Sequence, residues 1–151
     1  MSEVNAMQYD KEISLKLFIV LTRALASVRI RVEENIKSFG LNPTEFAVLE
    51  LIYHKGHQPI QKIGEKVLIA SSSITYVVDK LEKKQLLERK PCPKDRRITY
   101  AMITKKGISL MDDIFPLHTA AIQAILGGLD RNEKETMISK LKKLGYYAEN
   151  L

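Results

Sequence analysis

Apolar residues recur at steps of three and four along most of this chain, but just after Leu87 the step falls to two. Helical spacing returns at Thr104. Such a sequence folds as helices interrupted by one β-hairpin. Residues 88–92 suit a strand that Pro91 and Pro93 confine to a sheet edge, because proline donates no ladder hydrogen bond. Residues 98–103 alternate, with β-branched or aromatic side chains at Ile98, Thr99, Tyr100 and Ile103. Between them, Lys94-Asp95-Arg96-Arg97 is a turn made wholly of charged residues, so the hairpin has a cationic tip.

Six helices are expected around that hairpin. The first, about 9–39, carries Leu17, Leu21, Leu25, Val28, Val32 and Ile36 on one face, and Gly40 stops it. A stripe sustained this long suits an intersubunit bundle. Asn42-Pro43-Thr44-Glu45 starts the second helix as a capping box. That helix turns Phe46, Leu49, Ile52 and Tyr53 inward and ends near Gly56. A short third helix runs from Pro59 and Ile60 to about Leu68. One serine of Ser71-Ser72-Ser73 caps the fourth. In the fourth, Ile74, Val77, Val78 and Leu81 share one arc, with Ser72, Tyr76, Asp79, Lys80 and Lys83 opposite. Thr104 caps a fifth helix striped by Ile108, Met111, Phe115, Ile122 and Leu126, in which Pro116 predicts a kink. Gly127-Gly128 ends it. Asp130 and Glu133 form a second capping box, and the sixth helix is expected to stop near Leu144 at Gly145.

The formal charge is +6, but it is not spread evenly. Residues 80–106 hold ten Lys/Arg against three Asp/Glu, a net +7, and the other 124 residues come to −1. A solvated basic face explains an arbitrary charge run. Here the excess coincides with the hairpin and the helix before it, which points to a polyanion. A single cysteine excludes an intrachain disulfide and a multi-thiolate metal cage. The longest aliphatic or aromatic run is five residues, far below the roughly twenty of a membrane helix. The first twelve residues mix charges and lack an apolar run, so no signal peptide is expected and the expected location is the cytoplasm.

Helices three and four with a tight connection form a helix-turn-helix, and the hairpin beside them is a wing. The fourth helix fits a major groove about 12 Å wide. Its N-terminus points unpaired N–H groups at phosphates. Ser72, Ser73, Thr75, Tyr76 and Lys80 face outward toward base edges and backbone oxygens, while Arg96 and Arg97 suit the negative potential of a narrow minor groove.

The combination of Asp95-Arg96-Arg97 with Ile103-Thr104-Lys105-Lys106-Gly107 resembles the wing of the MarR family of winged-helix regulators, and residues 74–84 resemble its recognition helix. The resemblance covers residue 10 to the end. One departure is Gln85, which stands where the family usually has glycine, so the fourth helix is expected to end less sharply. Asn42-Pro43-Thr44-Glu45-Phe46 and the 90–97 stretch further resemble the MhqR-like branch, associated with quinone and hydroquinone stress.

The resemblance implies a mainly α fold with a small β-hairpin wing. A winged helix-turn-helix over 41–103 joins a helical dimerisation region over 1–40 and 104–151. It implies a homodimer on a pseudo-palindromic operator in double-stranded DNA, released by a small aromatic or phenolic ligand, with no cofactor and no membrane partner. Arg97 enters the minor groove and Asp95 holds it. Ser71, Ser72, Ser73, Thr75, Tyr76 and Lys80 belong to the recognition helix. Arg89, Lys90, Lys94 and Arg96 complete the DNA contacts, Arg89 and Lys90 on phosphates. Phe18, Phe46, Tyr53, Phe115 and His118 are either plain core or the lining of the family's ligand site, between bundle and winged domain.

Other readings are weaker. His54 and His57 have ligand spacing but flank Gly56 at a helix end, with His118 the one remaining histidine. Asp79 suits a cytosine amine, yet an ion pair with Lys80 or Lys83 is simpler. Cys92 lies outside the region where the family's sensing thiols sit, so a structural cysteine is the economical reading. No phosphate loop, catalytic carboxylate pair, triad or Gly-x-Ser-x-Gly elbow argues for an enzyme such as a small hydrolase. A winged helix used only for protein contacts has no need of a +7 window.

Overall fold

The computed structural model describes residues 2–67 and 71–151, with the side chains of Ser71 and Ser72 outside the described set. In chain order the elements are α1 (Glu3–Ser38), α2 (Pro43–Lys55), β1 (Gln58–Pro59), α3 (Ile60–Lys66), α4 (Ser71–Lys83), β2 (Leu87–Pro91), β3 (Thr99–Ile103), α5 (Lys105–Ile125) and α6 (Arg131–Glu149).

Local chemistry sets most of the boundaries. The Glu45 N–H donates to Asn42 Oδ1 at 2.8 Å and the Asn42 N–H to Glu45 Oε1 at 3.2 Å, completing the capping box of α2. Asp130 and Glu133 repeat it on α6 at 2.9 and 3.1 Å. Thr104 Oγ1 accepts the Gly107 N–H at 3.0 Å to start α5. Gly40, at φ +78°, and Gly56, at +81°, turn the chain after α1 and α2.

Four features differ from the sequence reading. First, α1 begins six residues earlier, where Ser2 Oγ accepts the Asn5 N–H. Second, the hairpin gains a third strand, in the order β1-β3-β2, with Gln58 opposite Ala101 and Pro59 opposite Tyr100. The Pro91-bearing strand β2 does occupy an edge, as its proline requires. Third, α6 runs through Gly145 to Glu149. A glycine inside a helix costs only about 1 kcal/mol and stops nothing unless the backbone turns left-handed. Fourth, Gln85 takes the left-handed turn itself, at φ 62°. The Leu86 N–H reaches Leu81 O at 3.0 Å and the Gln85 N–H reaches Glu82 O at 2.9 Å, so α4 ends in a Schellman turn as sharp as a glycine would give. Helix α3 ends at Lys66, short of the expected Leu68, which itself lies outside the described residues, as does the capping role assigned to Ser71 or Ser72. Ser73 sits within α4, exposed.

The core lies under the middle of the chain. Phe46, Val48, Leu49 and Ile52 of α2 meet Ile60 and Ile63 of α3, Ile74, Val77, Val78 and Leu81 of α4, and Leu87 and Ala101 of the sheet. Ile36 and Leu41 close it from the end of α1, and Met111 and Ile114 from α5. Of the expected α5 stripe, Met111 is buried, Phe115 packs against the core and Ile122 is half-buried, while Ile108 and Leu126 are exposed; Ile114 and His118 complete the inward face. The outer part of α1 and all of α6 carry bare apolar faces. Leu17 and Leu25 are exposed, Leu21, Val28 and Val32 half-buried, and no described residue of α6 is buried.

Candidate nucleic-acid interface

The setting of α4 follows from its four buried anchors. Fully burying side chains of this size stabilises by about 1.5–3 kcal/mol each. Turning the helix half a revolution would exchange Ile74, Val77, Val78 and Leu81 for Tyr76 and charged groups, so its rotation is fixed. Ser73, Thr75 and Tyr76 are thereby held outward, Tyr76 at 60% exposure. Lys80 Nζ lies 4.9 Å from the Tyr76 ring centroid, a cation–π contact that keeps both on the outer face.

The wing is built around its acid. The Cys92 N–H donates to Ile98 O at 2.9 Å and the Ile98 N–H to Asp95 O at 3.1 Å, closing the tip. Asp95 Oδ1 accepts the Arg97 backbone N–H at 3.0 Å and Nε at 3.1 Å, and Asp95 Oδ2 accepts Nη2 at 3.1 Å. The fork aims the guanidinium without covering it, and the Arg97 side chain stays 91% exposed. The Arg97 side-chain hydrogen bonds, then its backbone N–H, hold the Asp95 carboxyl below its ordinary value. Lys94 and Arg96 are exposed beside it, and Lys90 Nζ stands 3.7 Å from Glu88 on β2. Cys92 is half-buried at the base of the tip.

Arg89 sits differently from the phosphate contact expected of it. Nη1 donates to Glu82 Oε1 at 2.8 Å and Nη2 to Asp79 Oδ1 at 2.6 Å, with the Thr75 carbonyl 3.4 Å away. The Arg89 backbone N–H adds a bond to Glu82 Oε2 at 3.1 Å. The side chain is 26% exposed, and it ties the wing strand β2 to α4. Asp79 therefore pairs with Arg89 rather than with Lys80 or Lys83. The partners lie ten residues apart on different elements, so no helical spacing signals them.

Of the five candidate ligand residues, the fold brings four together. Phe46 and His118 stand 4.5 Å apart, Phe115 lies 6.3 Å from His118 and 6.2 Å from Tyr53, and the Tyr53 hydroxyl donates to Asp112. That bond raises the Tyr53 pKa. His54, read only for its metal spacing, joins them 4.6 Å from Phe115. His118 Nδ1 meets Asn35 Oδ1 of α1 at 2.9 Å, and burial pushes its pKa down against a smaller opposing effect of Glu50. Phe18 is not part of this cluster. It is 69% exposed on α1, 17 residues and roughly 25 Å along the helix from Asn35. Among the described residues no group of three His, Cys, Asp or Glu could hold a metal ion, and no helix is long and apolar enough to cross a membrane.

A helix-turn-helix whose second helix keeps a polar face outward, next to a hairpin tipped with arginine, defines a winged-helix regulator. A family model for the MarR family matches residues 41–99. The chain is 57% identical to the HTH-type transcriptional regulator MhqR of Bacillus subtilis (strain 168), over 91% of this chain and 95% of that one. This chain belongs to the MarR family of transcriptional regulators. Its fold matches Sco3205, a MarR family regulator from Streptomyces coelicolor solved in complex with DNA, at a TM-score of 0.80 and 16% identity, covering 87% of this chain and 88% of that one. It also matches BpsR of Bordetella bronchiseptica, whose DNA binding is described as regulated by 6-hydroxynicotinic acid, at a TM-score of 0.76 and 22% identity, covering 86% and 98%. These are regulators and not enzymes, in keeping with the missing catalytic signatures.

Proposed function

We propose that this chain is a dimeric repressor that binds a pseudo-palindromic operator and is released from it by a small aromatic or phenolic molecule. The observation that carries the DNA half is the wing arginine, Arg97, clamped by Asp95 yet 91% exposed, beside an α4 that turns Thr75 and Tyr76 to solvent. Ser73, Thr75, Tyr76 and Lys80 read base edges. Ser71 and Ser72, whose side chains lie outside the described set, share that helix start. Lys90, Lys94 and Arg96 meet phosphates, and Arg97 enters the minor groove. Arg89, already taken up by Asp79 and Glu82, braces the wing instead.

Residues 41–103 form the reading head, and 1–40 with 104–151 form the dimerisation region. The support for a dimer is the bare apolar groove of about 910 Å³ between α1 and α6, lined by Leu17, Val20, Leu21, Met137, Leu141 and Leu144. The proposed setting is the cytoplasm. The effector lodges against Phe46, Tyr53, Phe115 and His118, where α1, α2 and α5 meet. It acts by preferring a dimer with wrongly spaced recognition helices, and it shifts nothing if it binds both states equally.

The test is duplex DNA binding across a salt series. Several phosphate contacts give a steep fall in affinity as salt rises, whereas a flat response favours a protein-contact role. Arg97→Ala is expected to weaken binding about tenfold with the fold intact. Unchanged affinity removes its role. Unchanged operator affinity across a panel of quinones and phenolics removes the effector.

A further inference from the structure

Just past the last residue of α4, Lys84 touches the ends of three other helices. Its backbone still belongs to α4, with the N–H donating to Lys80 O at 3.1 Å. Its ammonium donates to the Gly40 carbonyl, directly after α1, at 3.2 Å, and to Glu45 Oε2 of α2 at 2.7 Å. Its carbonyl accepts from Lys106 Nζ of α5 at 3.1 Å. Glu45 is buried, and its other oxygen is held by the Asn42 N–H, so this carboxylate cannot drift to a different partner without breaking the α2 cap. The Lys84 side chain is 42% exposed, but its ammonium turns back toward the elbow between α1 and α2.

We propose that Lys84 is a positioning residue for operator reading. By tying the C-terminal end of α4 to the α1–α2 elbow it fixes the tilt of the recognition helix relative to the dimer arm, and so the spacing of half-sites the protein accepts. This rests on the dimeric DNA-binding reading above. The lever is long enough to matter. The 13 residues of α4 span about 20 Å, so a tilt of about 10° displaces one end relative to the other by roughly 3.5 Å. That is about one base-pair step, 3.4 Å along a strand. The four apolar anchors of α4 oppose rotation about its own axis, but they allow the helix to rock on the core. The Lys84 ties lie at its end, where they oppose rocking.

The experiment is selection of bound duplexes from a random pool with the full chain and with Lys84→Met, Glu45→Gln and Lys84→Arg, each checked by thermal melting. Glu45→Gln keeps the capping box, since glutamine fills that position equally, so it carries the test even if Lys84→Met folds poorly. The wild type is expected to return paired half-sites at one spacing and to lose about tenfold in affinity when one base pair is inserted between them. Lys84→Met and Glu45→Gln should return the same half-site sequence spread over three or more adjacent spacings, with the insertion penalty reduced below about threefold. Lys84→Arg should behave as the wild type. Variants that keep the single wild-type spacing overturn the proposal, as does an altered half-site sequence, which would make Lys84 a direct reader of bases. Single, unpaired half-sites from the wild type overturn the dimeric reading itself, and this inference falls with it.

Discussion

Replacing Gly107 with alanine should destabilise the protein, although it puts a better helix former into a helix. Gly107 lies in the first turn of α5, and glycine-to-alanine exchange inside a helix is worth up to about 1 kcal/mol in favour of alanine. Space decides against it. A Cβ at this position would lie 2.3 Å from the Leu86 carbonyl oxygen and 2.7 Å from Ile103 Cγ1. Relief requires α5 or the turn after α4 to move by about 1 Å, and the Leu86 carbonyl is not free to move because it accepts the Thr104 N–H at 3.1 Å. Overpacking costs about 1–3 kcal/mol and the weakened hydrogen bond about 1 kcal/mol more. Net of helix propensity, the loss is about 1–3 kcal/mol. For a chain of this length each kcal/mol lowers Tm by about 2–4 °C, so a fall of about 2–12 °C is expected. Urea or thermal unfolding followed by far-UV circular dichroism reads it directly. Both proteins must be at one concentration, because self-association of the kind proposed would make Tm concentration-dependent. Amide exchange adds a local readout, with the Thr104 N–H losing protection first. An alanine variant as stable as the parent would show that propensity outweighs the contact and that the joint between α4 and α5 is looser than described.

Arg89→Ala should lower stability by about 1 kcal/mol and weaken DNA binding through the wing while leaving the slope of log affinity against log salt unchanged; a slope smaller by about one would restore Arg89 as a phosphate contact. Gln85→Gly should stabilise by about 0.5–1 kcal/mol, measured by urea unfolding, because glycine takes the left-handed turn without a Cβ penalty that exceeds its added freedom in the unfolded chain. The Asp95 carboxyl titrates below its ordinary value because of Arg97, so the wing clamp is complete above the ordinary carboxylate range and is lost as pH falls through the folded value. Carbon-detected NMR titration of Asp95 in the parent and in Arg97→Ala should show its pKa returning upward in the variant. His118 is held neutral by burial, so the unfolded chain binds its proton more readily and stability falls as pH drops below about 6.5. Melting against pH in His118→Gln should lose that part of the dependence, and an identical pH profile would count against it.

The parts legible in the sequence are those decided by neighbours a few residues apart. Asn42 and Glu45, Asp130 and Glu133, and Thr104 and Gly107 bond as their spacing requires. The split of α4 into an apolar and a polar arc survives because 3.6-residue periodicity is a local property. Asp95 and Arg97 are two residues apart, and a carboxylate so close to a guanidinium has little else to bind at an exposed tip. Strand β1 escaped because two residues show no alternation, and what makes Gln58 and Pro59 a strand is the free edge of β3, some forty residues later. The pairing of Arg89 with Asp79 and the reach of Lys84 to Gly40 and Glu45 needed the same knowledge of how distant elements meet.

The arms present a different limit, and the physics behind it bears on function. The stripe of α1 does lie on one helix face, yet among its six positions only Ile36 is buried, because no described residue of the single chain fully covers the rest. The core under residues 41–103 is covered within the single chain, with Ile36 of α1 and Met111 and Ile114 of α5 closing it. Exposed faces on this scale lie above what monomeric proteins usually leave bare, and the proposed dimer is what would cover α1 and α6. In that dimer their stability would depend on protomer concentration, and that of the head would do so only through the joints that connect the two. The joints between them include Lys84 with Gly40, Thr104 and Lys106 with the turn after α4, Tyr53 with Asp112, and Phe46 with His118. A molecule seated at His118 touches one of them directly. Seated between Phe46 and His118, it bears on how the heads hang from the arms, which is the form of linkage the proposed ligand-released repressor requires.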